Sequence, residues 1–69
     1  MILSDLITTL SMGAPCCVEI DNGIRLVNVC NWKTYSQYVD KILAPYMEYK
    51  VTFIYVHDGV LGIQIVNHD

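Results

Sequence analysis

Basic residues are scarce in this 69-residue chain, which has only four lysines and arginines against seven acidic residues. The net charge is −3, and Arg25, Lys33, Lys41 and Lys50 are spread along the sequence. Proteins that bind nucleic-acid phosphates carry clustered lysine and arginine. Direct binding to nucleic acid is therefore not expected.

No apolar run approaches the roughly 20 residues that cross a membrane. The first five residues also lack the basic start and the long apolar stretch of a signal peptide. We therefore expect no membrane association and a cytoplasmic location. In a reducing cytoplasm the three cysteines are expected to be free thiols.

Motifs for catalysis, metal binding and cofactor binding are also missing. The four glycines are spread out, so no phosphate-binding loop occurs. The best metal set would be Cys17 and Cys30 with either His57 or His68, which falls short of the four ligands of a structural zinc site. His57 is expected at a hairpin tip, far along the strand from Cys17, which disfavours a Cys-His nucleophile. The sequence therefore predicts no catalytic residues, no metal, no cofactor and no enzymatic activity.

Apolar residues, by contrast, make up 54% of the chain. A disordered chain needs the opposite balance, so we expect one folded domain over residues 1–69. A chain of this size buries only roughly 60% of its unfolded surface. Some apolar side chains should therefore stay exposed, where they can form an interface.

Two similar turns organise the sequence. Asn22-Gly23 and Asp58-Gly59 each separate two apolar runs, and the two glycines are 36 positions apart. Such pairs favour β-hairpins because the turn residues need positive φ. A helical pattern precedes each hairpin, so the chain is expected to be αββ twice, with halves at about 1–31 and 34–67.

The predicted fold is an α+β αββ-αββ pseudo-repeat, a four-stranded, mainly antiparallel sheet with two short helices on one face. Approximate two-fold symmetry should relate the halves. Parallel pairing where the two hairpins meet stays open. The likeness of the halves has two explanations, a duplication or the general similarity of any two αββ units.

Local signals set the expected helix boundaries. Ser4 is expected to cap the first helix, and Thr34 opens a capping-box pattern for the second. Pro45 should end the second helix, because proline disfavours helical backbone at the residue before it. Tyr35 and Tyr38 fall on the apolar stripe of this helix and are expected in the core.

Hairpin register assigns the strand side chains to faces. Two-residue loops at both turns would place Val18 opposite Val27 and Val56 opposite Leu61. Alternation then divides each strand between the helix-covered face and an opposite face. The opposite face is expected to hold Cys17, Glu19, Ile24, Leu26, Cys30, Val51, Phe53, Tyr55 and Val60.

An uncovered face this apolar is unusual on a small protein. We therefore expect a non-enzymatic protein-interaction module that buries this face against a protein partner or a second copy. Aromatic side chains favour such interfaces because they bring a large contact area at low entropic cost. The predicted partner-binding residues are Phe53, Tyr55, Val60, Ile24, Leu26, Trp32 and Glu19.

Small size, mild acidity and the missing catalytic motifs are similar to those of many small phage or mobile-element proteins. These include inhibitors of host nucleases such as anti-CRISPR proteins, which would act in the host cytoplasm. Two alternatives remain. One is a homodimeric structural or assembly protein, and the other is a small-molecule or metal-binding module.

Overall fold

The computed structural model describes residues 1–10 and 13–67. Its helices and strands follow the predicted order, αββ twice. A single 3₁₀ turn, Ala44–Tyr46, continues from the second helix. The elements are α1 (Leu3–Thr9), β1 (Cys16–Asp21), β2 (Leu26–Trp32), α2 (Gln37–Leu43), β3 (Lys50–His57) and β4 (Val60–Val66).

The N-terminal ends of both helices differ from those predicted. Ser36, rather than Thr34, caps α2, because its hydroxyl accepts a hydrogen bond from the Val39 backbone at 3.5 Å. Ser4 lies inside α1, whose N-cap is Ile2. Pro45 does follow the end of α2, as predicted, and lies within the 3₁₀ turn.

The sheet is mixed, with strand order β2-β1-β4-β3. The two hairpins are antiparallel pairs, and β1 and β4 meet in a parallel pair at the centre. Because the central pair is parallel, the expected mainly antiparallel sheet is not confirmed. The strand order also differs from the expected two-fold arrangement, because β1 is central whereas its counterpart β3 is an edge strand.

The register of the second hairpin is the predicted one, with Val56 opposite Leu61. Asp58 and Gly59 form its two-residue turn and both have positive φ, 53° and 78°. This is the backbone that such a turn requires. A register shift between Val51 and Phe53 moves Val51 to the helix-covered side, opposite Ile65, which corrects its predicted placement.

The first hairpin differs from the prediction by its turn. The Asn22 side-chain oxygen accepts hydrogen bonds from the backbone N–H of Ile24 (2.9 Å) and Arg25 (3.0 Å). These bonds build a four-residue loop, so Asp21 lies opposite Leu26 rather than Ile24. A register shift between Val18 and Glu19 then places Val18 opposite Cys30, not Val27, which puts Cys30 in the core instead of on the opposite face.

The core lies between the helices and one face of the sheet. Buried side chains from both helices belong to the same cluster as the inward side chains of β1, β2 and β4, so both helices cover one face, as predicted. No helix within residues 1–10 and 13–67 is long and apolar enough to cross a membrane. The buried residues are Leu3, Leu6, Cys16, Val18, Cys30, Trp32, Val39, Leu43, Ile63 and Ile65.

Two aromatic residues of the second helical segment have different environments. Tyr35 is half-buried and packs against the core, whereas Tyr38 is 74% exposed, which corrects its predicted place in the core. The buried positions of α2 are Val39 and Leu43. Position 38 lies about 100° around the helix from position 39, and a two-turn helix leaves it at the margin of the contact.

Candidate protein-interaction face

The face of the sheet opposite the helices, called here the open face, collects side chains from all four strands. Cys17 and Glu19 of β1 lie next to Gly62 and Gln64 of β4 in the parallel pair. The antiparallel pairs then extend the same face outward to both edge strands. The edge strands contribute Phe53 and Tyr55 from β3, and Leu26, Asn28 and Asn31 from β2.

Tyr55 is the side chain that joins three of these strands. Its ring starts on β3 and lies across Gly62 of β4, and its hydroxyl donates a hydrogen bond of 2.7 Å to the Glu19 Oε1 on β1. A Cβ placed on Gly62 would collide with three carbon atoms of this ring. The glycine inside strand β4 is therefore explained by the close approach of the ring to the backbone.

The hydrogen bond also fixes the protonation of Tyr55. The Glu19 carboxylate accepts a hydrogen bond from the phenol and so stabilises the neutral form of the phenol. This bond, followed by burial, raises the pKa of Tyr55. The hydroxyl therefore remains a donor well above neutral pH. The result is a ring held in one position at both ends, by its own strand and by the carboxylate.

Phe53 extends this arrangement along β3. Its ring stacks beside that of Tyr55, with centroids 6.0 Å apart and an angle of 29° between the planes. Phe53 is 56% exposed, whereas Tyr55 is half-buried. The pair therefore forms an aromatic platform whose inner ring is fixed and whose outer ring faces solvent.

The β1–β2 side of the open face is more polar. The Asn28 side-chain amide donates to the Cys17 Sγ at 3.3 Å and to the Asn31 side-chain oxygen at 2.7 Å. The register shift after Val18 brings these two asparagines to the same face. Leu26, 42% exposed, is the large apolar residue of this side.

The predicted partner-binding residues do not all meet on this face. Glu19, Leu26, Phe53, Tyr55 and Val60 lie on it. The other two lie elsewhere: Ile24 is 91% exposed at the tip of the first hairpin, and Trp32 is buried in the core, edge-to-face with Tyr35 at 5.5 Å.

The thiols do not form a reactive group. All three cysteines are free, with Cys16 and Cys30 buried and Cys17 half-buried. Burial is the main cause that raises the pKa of each thiol, which lowers the fraction of nucleophilic thiolate at neutral pH. Among the described residues, no group of three or more His, Cys, Asp or Glu side chains could hold a metal ion. His68, considered above as a ligand, lies outside those residues.

The sequence placed Glu19 on this face, but it did not predict the bond of Glu19 to Tyr55 or the asparagine pair. Gly62 was the one visible signal, because a glycine within a strand often marks a close contact. The asparagine pair had no local signal, since its two members meet only through the register shift.

A groove of about 950 Å³ was also missed. Its volume is within the range of small-molecule sites. The alternative of a small-molecule-binding module therefore stays a prediction. Pro15, Cys16, Cys17, Trp32, Thr34 and Val60 are among its lining residues.

Comparison with known proteins finds no matching family model, no matching curated protein and no matching solved structure.

Proposed function

We propose that this chain is a non-enzymatic protein that binds another protein through its open face. One observation carries the proposal: the Phe53–Tyr55 platform stands uncovered on the sheet while Tyr55 is already fixed by Gly62 and Glu19. Association normally costs the freedom of the side chains that it immobilises. A ring that is ordered before binding avoids much of that cost, and aromatic anchors dominate protein interfaces.

The surroundings of the platform suit a partner with an apolar patch and a basic border. Leu26 and Val60 add apolar area, whereas Glu19 and Asp21 place carboxylates along β1. The Tyr55 hydroxyl engages one Glu19 oxygen, and the other can accept from a partner's cation. The net charge of −3 favours encounter with such a partner.

The narrower form of the proposal is an inhibitor, encoded by a phage or a mobile element, that binds a host protein. Its support is the small size, the acidic charge and the absence of catalytic motifs noted in the sequence. Blocking a larger protein needs only a stable surface, and a sheet face of this kind offers one without a catalytic cleft.

Affinity capture from the native host tests both forms. Phe53→Ser removes the exposed half of the platform. Tyr38→Ser is the matched control, since Tyr38 is 74% exposed on α2, which covers the other face of the sheet. We expect wild type and Tyr38→Ser to capture the same protein and Phe53→Ser to bind it at least roughly tenfold more weakly, as for an interface hot spot.

The Phe53→Ser protein is expected to fold, since the Phe53 side chain is mostly exposed. Circular dichroism must confirm this before its affinity is interpreted. A folded Phe53→Ser protein that retains full affinity for the captured partner would refute the open face as the binding surface. Identification of the captured protein then decides the narrower form, because an inhibitor must lower the activity of its target in a purified assay.

A further inference from the structure

The outer edge of β3 is apolar on both sides. Phe53 is 56% exposed on the open face, and Ile54 and Val56 are 42% and 70% exposed on the side of the helices. The run from Val51 to Val56 contains no charge, no proline and no glycine. Monomeric proteins usually protect edge strands with charges, prolines or bulges, and an unprotected edge of this composition pairs readily with another strand.

Part of this edge is already covered by the chain itself. Ile2 forms an antiparallel bridge with Lys50, and the Val51 backbone N–H donates to the Met1 carbonyl at 2.9 Å. The next residue along β3, Thr52, lies at the register shift and has no paired residue on β4. Among the described residues, no strand pairs with the outer edge from Phe53 to His57. The free edge is therefore five residues long and centred on Tyr55.

The register shows which backbone groups this edge presents. His57 and Val60 close the two-residue turn, so His57, Tyr55 and Phe53 exchange hydrogen bonds with β4 in the regular alternation of a hairpin. The backbone N–H and C=O groups of Ile54 and Val56 then point away from β4. A strand added at this edge would form its hydrogen bonds with these two residues.

We propose that the free edge pairs with the same edge of a second copy, antiparallel, about a two-fold axis at Tyr55. Ile54 of each copy then lies opposite Val56 of the other, and all four residues with outward backbone groups are paired. This proposal concerns the edge of the sheet and does not rest on the binding of another protein at the open face.

The exposed side chains explain why a second copy fits. The two-fold axis places the helices of both copies on the same side, so Ile54 and Val56 of one copy pack against those of the other. On the open face the Tyr55 ring leans inward over Gly62 toward Glu19, away from the new partner strand. The central paired residues, Ile54 to Val56, carry no charge, so no like charges oppose each other there.

The first measurement uses the unchanged protein. Sedimentation over a dilution series should show a monomer–dimer equilibrium, and amide hydrogen exchange should show the Ile54 and Val56 N–H groups protected in the dimer and exchanging rapidly in the monomer. A protein that stays monomeric up to roughly 1 mM, the weak limit of specific association, overturns the proposal. So does a dimer in which these two amides remain unprotected.

Charge variants provide the second measurement. Ile54→Lys with Val56→Lys, and Ile54→Glu with Val56→Glu, place like charges opposite each other in a dimer of either variant alone. Each should dimerise at least roughly tenfold more weakly than wild type. An equimolar mixture should form a heterodimer, because Lys then faces Glu at every position, a gain that misfolding cannot produce.

Val27→Lys, on the opposite edge strand β2, is the matched control and should dimerise like wild type. If the double variants fail to fold, Val56→Lys alone replaces them, since that side chain is 70% exposed. A folded Lys variant with unchanged dimerisation overturns the proposal. A dimer that instead dissociates in Phe53→Ser while Ile54 and Val56 exchange freely also overturns it and assigns the contact to the open face.

Discussion

Replacing Gly62 with alanine places one methyl group beneath the Tyr55 ring. The added Cβ would overlap three ring carbons, so the ring must lift from β4. The ring reaches Glu19 only by lying across this position, and lifting it therefore breaks the 2.7 Å hydrogen bond to the carboxylate. The substitution tests whether the platform is fixed in the way that the structure indicates.

The expected magnitude comes from two opposing effects at position 62. An additional methyl group in a filled site costs about 1–3 kcal/mol of unfolding free energy. Alanine regains about 0.5–1 kcal/mol over glycine within a strand, because it loses less backbone freedom on folding. The ring can move but loses its hydrogen bond to Glu19, so the cost should lie near the middle of that range, about 2 kcal/mol, and the net loss should be about 1 kcal/mol.

The sign should reverse when the ring is absent. In a Tyr55→Ala background the three ring atoms that lie nearest to the added methyl group are absent. Gly62→Ala should then stabilise the protein by about 0.5–1 kcal/mol. A propensity effect alone would have the same sign in both backgrounds, so the reversal is specific to the ring contact.

Urea unfolding followed by circular dichroism measures all four proteins of this cycle. For a small domain the expected loss lowers the unfolding midpoint by about 1 M. If Gly62→Ala stabilises the protein with Tyr55 present, or changes stability equally in both backgrounds, the ring does not pack on Gly62 and the argument for a fixed platform fails.

Two further predictions concern pH and the core. Burial, followed by the hydrogen bond to Asp40, raises the pKa of Tyr35 from 10.0 to about 12. Because the fold favours the neutral phenol, the contribution of Tyr35 to the unfolding free energy is complete below pH 10 and should be lost as the pH rises toward 12. Tyr35→Phe should flatten this loss in urea unfolding curves and Tyr38→Phe should not, and equal slopes in all three proteins would contradict the assignment. Ile63→Val, at a fully buried position, should lower the unfolding free energy by about 1 kcal/mol. The same change at Ile54, which is 42% exposed, should lower it clearly less. Equal losses in urea unfolding would mean that the core is misassigned.

Local patterns account for the parts of the fold that were predicted. The order of the helices and strands follows from periodicity, and Asp58-Gly59 sets the second register because both residues accept positive φ. The first turn contains a similar pair, yet the Asn22 side-chain oxygen accepts hydrogen bonds from the backbone N–H groups of Ile24 and Arg25 and lengthens the loop. Two favourable turns were available there, and their difference in energy is not visible in the residue pattern.

The apolar members of the candidate site and Glu19 were predicted, whereas the contacts that fix Tyr55 were not. Phe53, Tyr55 and Leu26 were assigned to the open face by the expected hairpin registers and by alternation along the strands. The assignment of Trp32 required knowledge of the first register, which places that residue among the buried side chains. The bond from Tyr55 to Glu19 joins residues 36 positions apart, so it depends on the pairing of β1 with β4.

Local sequence pattern was enough to predict the α+β class, the two hairpins and the apolar character of the second hairpin. Those properties depend on neighbours within a few residues, where turn chemistry and side-chain alternation act. Tertiary structure decided the strand order, because the parallel pairing of β1 and β4 buries Val18, Ile63 and Ile65 together beneath the helices. The same arrangement leaves β3 at the edge and brings Gly62 between Tyr55 and Glu19. The aromatic platform therefore follows from long-range packing.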